Sequence, residues 1–210
     1  MNQTGLAQAV VKELHPLCDA QATVEHAWST AISETPGPVL VELTKDTGKR
    51  APLKSPLSEG EALDTKSIHL LERAKRPILI LGTLASRLSL ENKLSQLEIP
   101  VFSTVSAKGV FDETSPYSGG IFTGAGLAAT PEAQILTDAD LIIGIGLRND
   151  ELLNAQSFNC SLINFDAPSQ NKHVGLNCQR VFPPSELEKV FELIRQKTWG
   201  LDELSEAHQS

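Results

Sequence analysis

Aromatic residues, clustered positive charge and long apolar runs are all scarce in this sequence. Aromatics make up 5% of 210 residues, so any core must be mainly aliphatic. The formal charge is −8 and no basic run is present, which argues against a face for nucleic acid or for an anionic membrane. No apolar run approaches ~18 residues, so no membrane-spanning helix is predicted. The first residues also lack the basic and apolar blocks of a signal peptide.

Cysteine and the common catalytic motifs are also sparse. Cys18, Cys160 and Cys178 are odd in number and far apart, which favours reduced thiols in a cytoplasmic protein over a disulfide framework or a zinc site. There is no Gly-x-Ser-x-Gly elbow and no Walker loop. The histidines lack metal-like i, i+4 pairing and are expected to be solvated or on helix faces, so no metal site is predicted in this chain. They are His15, His26, His69, His173 and His208.

Continuous apolar runs are the strongest structural signal. The run 77–83 (PILILGT) lies between a basic, helix-like segment and a glycine turn. A second run covers 141–147 and a weaker third covers 161–167. Runs without polar alternation are typical of strands that are buried on both faces. Because they alternate with helical stretches, the sequence predicts an α/β fold: a doubly wound, mostly parallel Rossmann-like sheet with helices on both faces.

The chain divides into four predicted segments. Residues 1–45 contain a helix at 19–34 and a strand at 39–43, and a lone helix with one strand cannot bury both apolar faces. This segment is therefore interpreted as the tail of a larger domain. Residues 46–62 have no apolar period and are predicted to be a linker. Residues 63–198 form the α/β domain, and 199–210 are expected to be a frayed tail.

Ligands of open α/β sheets bind at the carboxyl ends of the strands, so the loops there are the candidate sites. They are 82–83, 106–111, the glycine-rich stretch 119–126, 144–150, and Asp166. Glycine loops could bring backbone N–H groups to a pyrophosphate, or could simply be turns. Arg148 could pair with a phosphate, or with Asp150 or Glu151. Asp166 could bind a ribose, or form a turn before Pro168.

Five stretches together resemble a known family. Residues 36–46 (PGPVLVELTKD), 74–82 (AKRPILILG), 99–111 (IPVFSTVSAKGVF), 138–148 (DADLIIGIGLR) and 163–166 (INFD) follow its order and spacing over about 20–195. The family is the thiamine-diphosphate-dependent enzymes of the acetolactate synthase and 2-keto acid decarboxylase group. The resemblance implies that 1–45 is the C-terminal remnant of a pyrimidine-binding domain, and that 63–198 is the central domain.

The resemblance also implies which cofactors belong to the parent enzyme. Its activating glutamate would lie upstream of Met1, and the Gly-Asp-Gly…Asn motif for diphosphate and Mg²⁺ is absent from this chain. Thiamine diphosphate and Mg²⁺ are therefore expected in the parent, and the isolated chain is expected to be inactive. Some relatives hold FAD or ADP in the central domain. The cofactor-binding residues carried over by position or backbone are Gly82, Thr83, Gly124, Gly126, Gly146, Arg148 and Asp166.

Two functions remain open on this sequence. The first is a non-catalytic central structural domain of a thiamine-diphosphate-dependent 2-keto acid lyase or carboligase. Its partners would be the flanking pyrimidine- and diphosphate-binding domains, in a homo-oligomeric parent. The alternative is a stand-alone regulatory module that binds ADP or a dinucleotide. A NAD-dependent dehydrogenase is disfavoured because Gly82 is not followed by the two further glycines of the fingerprint.

Overall fold

The computed structural model describes residues 3–17, 19–33, 36–42, 61–125, 130–148, 151–152, 158–166 and 178–209. Contacts divide the chain into two compact units, residues 1–58 (unit 1) and residues 59–210 (unit 2). Within the described ranges, every helix is too short or too polar to cross a membrane. The predicted linker 46–62 lies almost entirely outside the described residues.

Unit 1 is built on a strand–helix–strand arrangement. Its elements are α1 (Gln3–Ala7), β1 (Glu13–Pro16), α2 (Ala20–Ile32) and β2 (Val39–Glu42). Strands β1 and β2 are parallel, with Leu14 opposite Leu40, and α2 contacts both. The Asp19 carboxylate caps α2 by accepting from the Ala22 N–H at 2.8 Å. The expectation of one helix with one strand was wrong, because the short segment 13–16 forms a second strand.

The apolar stripe of α2 faces solvent more than it faces β1 and β2. Ala27 is buried, but Val24, Trp28 and Ile32 are 58%, 68% and 58% exposed. These three residues follow the i, i+4, i+8 spacing of one helix face. The side of α2 that packs in unit 1 carries Thr23 and Ala27 instead, so unit 1 leaves much of its apolar surface open.

Unit 2 is organised around a six-stranded sheet. Its strands are β3 (Pro77–Leu81), β4 (Val101–Ser103), β5 (Ser118–Ile121), β6 (Leu141–Ile145), β7 (Ser161–Phe165) and β8 (Cys178–Phe182). The spatial order is β5-β4-β3-β6-β7-β8, and all neighbours are parallel. The chain moves outward from β3 to β5, then returns to the other side of β3 as β6. Between β3 and β6 lies the topological switch point of a doubly wound sheet.

Helices cover both faces of this sheet, as predicted. They are α3 (Thr65–Arg73), α4 (Glu91–Leu94), α5 (Pro131–Asp138), α6 (Leu187–Ile194) and α7 (Leu201–Gln209). Successive strand side chains point to opposite faces. In β3, Leu79 and Leu81 join the core cluster formed with α3, α4 and α6, whereas Ile78 and Ile80 join the one formed with α5 and α7. The apolar run that dominates the sequence is therefore buried on both sides.

Two sequence predictions within unit 2 were wrong. Residues 119–121, the start of the expected glycine-rich loop 119–126, belong to the edge strand β5. The expected frayed tail is helix α7, in which Leu204 is fully buried and Ala207 is 4% exposed. The indole N–H of Trp199 donates to the Pro77 carbonyl and ties the start of this helix to β3. The sequence after Gly200 is mostly polar, and the two apolar residues Leu204 and Ala207 were too few to predict a helix that packs in the core.

Candidate functional site

The loops after β3 and β6 touch each other at the switch point. The Gly82 N–H donates to the Ile145 carbonyl at 2.8 Å. A Cβ on Gly82 would lie 2.1 Å from the Gly146 carbonyl oxygen, and one on Gly146 would lie 2.2 Å from the Leu84 Cβ. Gly146 also has a φ of +67°, which favours glycine. Both glycines are thus required by close backbone contact, and the contact leaves no gap for a phosphate between the two loops.

The first backbone N–H group after this turn already donates a hydrogen bond to a carboxylate of the protein. The Thr83 N–H donates to both oxygens of Glu151, at 3.1 and 3.0 Å. The Thr104 hydroxyl, which follows β4, donates to the same carboxylate at 2.6 Å. In dinucleotide-binding sheets the backbone N–H groups here receive a ligand phosphate. In this chain a side chain already provides the anion.

A second carboxylate takes the corresponding place beyond β5. Glu132 lies in the first turn of α5 and is 3% exposed. It accepts from the N–H groups of Thr123 and Gly124 at 2.7 and 2.9 Å, and from the Thr123 hydroxyl at 3.0 Å. Its position near a helix N-terminus adds a favourable dipole interaction. The described part of the 119–126 loop therefore also binds its own acid.

Arg148 and Asp166 form a bidentate ion pair below the surface. The Arg148 Nε donates to Asp166 Oδ2 at 2.8 Å and its Nη2 donates to Oδ1 at 2.7 Å. The side chains are 13% and 0% exposed, respectively. Planar guanidinium and carboxylate groups match in this geometry, which makes the contact strong and directional. The pairing joins the end of β6 to the end of β7, and Asp166 is a partner that the sequence alternatives for Arg148 did not include.

Asn164 fixes the backbone next to this pair. Its side chain is fully buried in β7. The amide nitrogen donates to the Leu147 carbonyl at 2.9 Å, and the amide oxygen accepts from the Leu147 N–H at 3.2 Å. The Asn164 side-chain amide thereby pairs with both backbone polar groups of Leu147. This clamp sets the direction in which Arg148 leaves β6.

Five of the seven predicted site residues thus fall into two groups. Gly82, Thr83 and Gly146 meet at the switch point, and Arg148 and Asp166 meet one strand further along the sheet. Gly124 lies past β5, which is separated from β3 by β4. Gly126 lies outside the described residues, as do Asn149 and Asp150 in the 144–150 loop.

Four residues at this edge were missed by sequence reasoning: Thr104, Glu132, Glu151 and Asn164. Asn164 did carry a signal, because it is a polar residue inside an otherwise apolar strand run. Glu132 and Glu151 carried none, since no local pattern marks either acid and each finds its partners only through the fold.

The loop at 106–111 borders a separate cleft. The cleft has a volume of about 450 Å³ and lies along the edge strand β5. Its lining includes Phe111 from that loop, Ser103 at the end of β4 and His208 from α7. The Lys108 Nζ lies 3.9 Å from a carboxylate oxygen of Glu113, which also lines the cleft, and both side chains are largely exposed.

The one cysteine whose side chain is described is not poised for chemistry. Cys160 is a free thiol at the start of β7. Burial, followed by the nearby charge of Asp140, raises the pKa of this thiol. A raised pKa lowers the fraction of nucleophilic thiolate at neutral pH. Cys160 therefore fits a packing role.

The described residues do not fit a nucleotide diphosphate or thiamine diphosphate at these loops. A diphosphate needs unpaired N–H donors or cations, and the N–H groups of Thr83 and Gly124 already bind carboxylates. Arg148 is engaged by Asp166. A phosphate placed here would also meet the charges of Glu132 and Glu151.

Comparison with known proteins places the chain in a family. The model of the thiamine pyrophosphate enzyme central domain matches residues 65–179. The acetolactate synthase large subunit of Parasynechococcus marenigrum (strain WH8102) is 30% identical over 152 residues, 63% of this chain and 24% of that protein. Pyruvate decarboxylase isozyme 3 of Saccharomyces cerevisiae is 32% identical over 95 residues, 43% of this chain and 16% of that protein.

The fold also matches solved structures. The thiamine diphosphate-dependent 4-hydroxybenzoylformate decarboxylase of Rhodococcus jostii RHA1 superposes with a TM-score of 0.64 at 20% identity, covering 92% of this chain and 41% of that one. The match to the acetolactate synthase spans about a quarter of that protein's length. The sequence match, the sheet order and the structural match agree, and the chain belongs to the thiamine pyrophosphate enzyme central-domain family.

Proposed function

We propose that this chain is the central structural domain of a thiamine-diphosphate-dependent 2-keto acid lyase or carboligase, preceded by the end of its pyrimidine-binding domain. The domain acts as a scaffold between the flanking pyrimidine- and diphosphate-binding domains and is not catalytic by itself. Thiamine diphosphate and Mg²⁺ then belong to the parent enzyme. The observation that carries the scaffold role is the pair of internal carboxylates, Glu151 and Glu132, that occupy the N–H donors of the candidate cleft.

The exposed apolar face of α2 supports the proposal for unit 1. Val24, Trp28 and Ile32 are each more than half exposed on one helix face. The pyrimidine-binding domain that continues unit 1 in the proposed parent would cover this face. Relatives of the family are multidomain proteins of which this chain spans only a part.

The size of the native polypeptide tests the scaffold role most directly. An antibody against this chain is used on an immunoblot of the source cells. We expect one band much larger than this chain. A band at the size of 210 residues would overturn the proposal that this chain is part of a larger enzyme and leave a natural stand-alone domain.

Thermal unfolding of the purified chain tests whether it binds a cofactor or nucleotide by itself. A ligand that binds only the native state at 100 times its Kd stabilises that state by about 2.7 kcal/mol. We expect no change of midpoint with thiamine diphosphate plus Mg²⁺, ADP, FAD or NAD, and no turnover of pyruvate. A midpoint rise with thiamine diphosphate plus Mg²⁺, or turnover by the chain alone, would refute the assignment of the active centre to other domains.

A nucleotide-binding regulatory module is the second candidate. The observation in its favour is the sheet order, which puts Gly82, Thr83 and Gly146 at the switch point where nucleotides bind in such sheets. The matched variant is Glu151→Gln, which removes the negative charge of the carboxylate beside the Thr83 N–H but keeps an acceptor oxygen for it. A midpoint rise with ADP in the unmodified chain would support the module. A rise in Glu151→Gln alone would identify a nucleotide site that its own glutamate closes.

A further inference from the structure

The buried histidine pair of unit 1 is a polar cluster that the scaffold role does not use. His15 is fully buried on strand β1, which corrects the expectation that the histidines are solvated or on helix faces. Neither its Nδ1 nor its Nε2 has a hydrogen-bond partner among the described residues, and the buried Nε2 of His26 has none either. A buried polar atom without a partner costs on the order of 1–3 kcal/mol. Three such atoms in one place call for a ligand that the protein side chains do not supply.

The fold brings a third donor to the same place. Glu13 and His15 are two residues apart on β1, so their side chains share one face of the strand. Helix α2 contacts β1 and carries His26. The two imidazole rings meet edge to face with centroids 4.9 Å apart, and Glu13 Oε1 lies 3.9 Å from His15 Nδ1. One ligand atom from each of the three residues lies within 4.8 Å of the other two.

We propose that Glu13, His15 and His26 bind a divalent transition-metal ion of the Zn²⁺ type. Two imidazoles and one carboxylate are a donor set that Zn²⁺ accepts, with the fourth position left to water or another ligand. Donor atoms around tetrahedral Zn²⁺ are roughly 3.3 Å apart, so the cluster must contract by up to about 1.5 Å. Glu13 can provide most of that movement, since its side chain is 31% exposed.

The ion would hold β1 to α2. Glu13 and His15 come from the strand and His26 from the helix, so the ion bridges two of the three elements of the strand–helix–strand arrangement. Unit 1 has little buried apolar surface of its own, because Ala27 is its one buried apolar side chain among the described residues. Small units with incomplete cores are often stabilised by a structural metal. The proposal depends only on residues within unit 1 and is independent of the scaffold function of unit 2.

Metal titration of the whole 210-residue chain tests the proposal. The chain is stripped with a chelator and then titrated with Zn²⁺ by calorimetry and with Co²⁺ by visible absorption. We expect one equivalent of Zn²⁺ and the absorption bands of tetrahedral Co²⁺ with nitrogen and oxygen ligands. We also expect Zn²⁺ to raise the thermal midpoint of unit 1. Absence of stoichiometric binding by both ions would overturn the site.

Two variants assign the ligands without touching the buried His15. His26→Gln and Glu13→Gln are each expected to abolish stoichiometric Zn²⁺ binding and the tetrahedral Co²⁺ bands, with unchanged far-ultraviolet circular dichroism. The matched control is His69→Gln, which removes an exposed histidine of unit 2 and should leave binding intact. Retention of Zn²⁺ by His26→Gln, or its loss in His69→Gln, would overturn the assignment.

Discussion

Units 1 and 2 are both built from parallel strands joined by helices. They differ in how completely each unit buries its apolar surface and pairs its buried polar groups. Unit 2 covers its sheet on both faces and pairs its buried acids with N–H groups, hydroxyls or Arg148. Unit 1 leaves one face of α2 exposed, and two of its histidines have nitrogens that find no partner in the part of the chain that the structure describes. The difference follows from the number of elements, because unit 1 packs only one side of α2, the side that carries Thr23 and Ala27, against its two strands. A self-sufficient unit is suited to be a scaffold, whereas an incomplete one needs a partner or a ligand.

Breaking the buried ion pair of unit 2 is expected to cause the largest loss of stability. Arg148→Ala leaves the fully buried Asp166 carboxylate without its bidentate partner, and such a break costs about 3–5 kcal/mol. We expect this loss in the free energy of unfolding, measured by urea denaturation followed through Trp199 in a Trp28→Phe background. The control is Lys108→Ala, which breaks an exposed contact at 3.9 Å and should cost less than about 1 kcal/mol. Equal losses in the two variants would contradict the geometry.

The helix at the end of unit 2 offers the next test. Leu204→Ala removes a fully buried side chain and should cost about 2–5 kcal/mol by leaving a cavity against α5 and the sheet. Leu201→Ala, on the same helix but 44% exposed, is the matched control and should change stability by about 0.5 kcal/mol. Thermal or urea unfolding of both variants gives the comparison. A loss below 1 kcal/mol for Leu204→Ala would mean that the tail is frayed after all.

Hydrogen exchange compares the two units within one sample. Backbone amides of β3 and β6 lie in the centre of a sheet covered on both faces, whereas β1 and β2 form a two-stranded sheet. We expect exchange to be slower in β3 and β6 by roughly 100-fold, which corresponds to about 2.7 kcal/mol of extra opening free energy. The measurement is exchange followed by mass spectrometry of the metal-free chain. If the proposed cluster binds Zn²⁺, adding the ion should slow exchange in β1 and β2 and so reduce the difference between the units. Equal exchange rates in the metal-free chain would contradict the expected difference in stability.

The exposed face of α2 gives the smallest expected change in stability. Trp28 is 68% exposed, so Trp28→Ser should alter the free energy of unfolding by no more than about 0.5 kcal/mol. It should also reduce concentration-dependent self-association, because it removes the largest apolar side chain from the stripe. Sedimentation velocity at several concentrations measures the second effect. A stability loss above 1 kcal/mol would mean that Trp28 already belongs to a core.

Part of the candidate site could be predicted from the sequence. The positions of Gly82, Gly146, Arg148 and Asp166 at strand ends were predicted because each lies at or next to the end of an apolar run, and a strand end in a doubly wound sheet is a defined place. Their partners were not found. Glu151 is 68 residues from Thr83 and 47 from Thr104, so no local pattern links them. His15 and His26 are 11 residues apart, which matches no metal motif, and they meet only because α2 folds back across β1.

The sequence by itself determined the sheet. Unbroken apolar runs at 77–81 and 141–145 can be satisfied only by burial on both faces, and that requirement alone selects parallel strands between helices. The tertiary structure decided what each polar group at the strand ends would do. Whether an N–H group meets a phosphate or a carboxylate depends on which distant side chain the fold delivers, and here it delivers Glu151 and Glu132. Burial follows from local composition, whereas polar pairing follows from three-dimensional proximity.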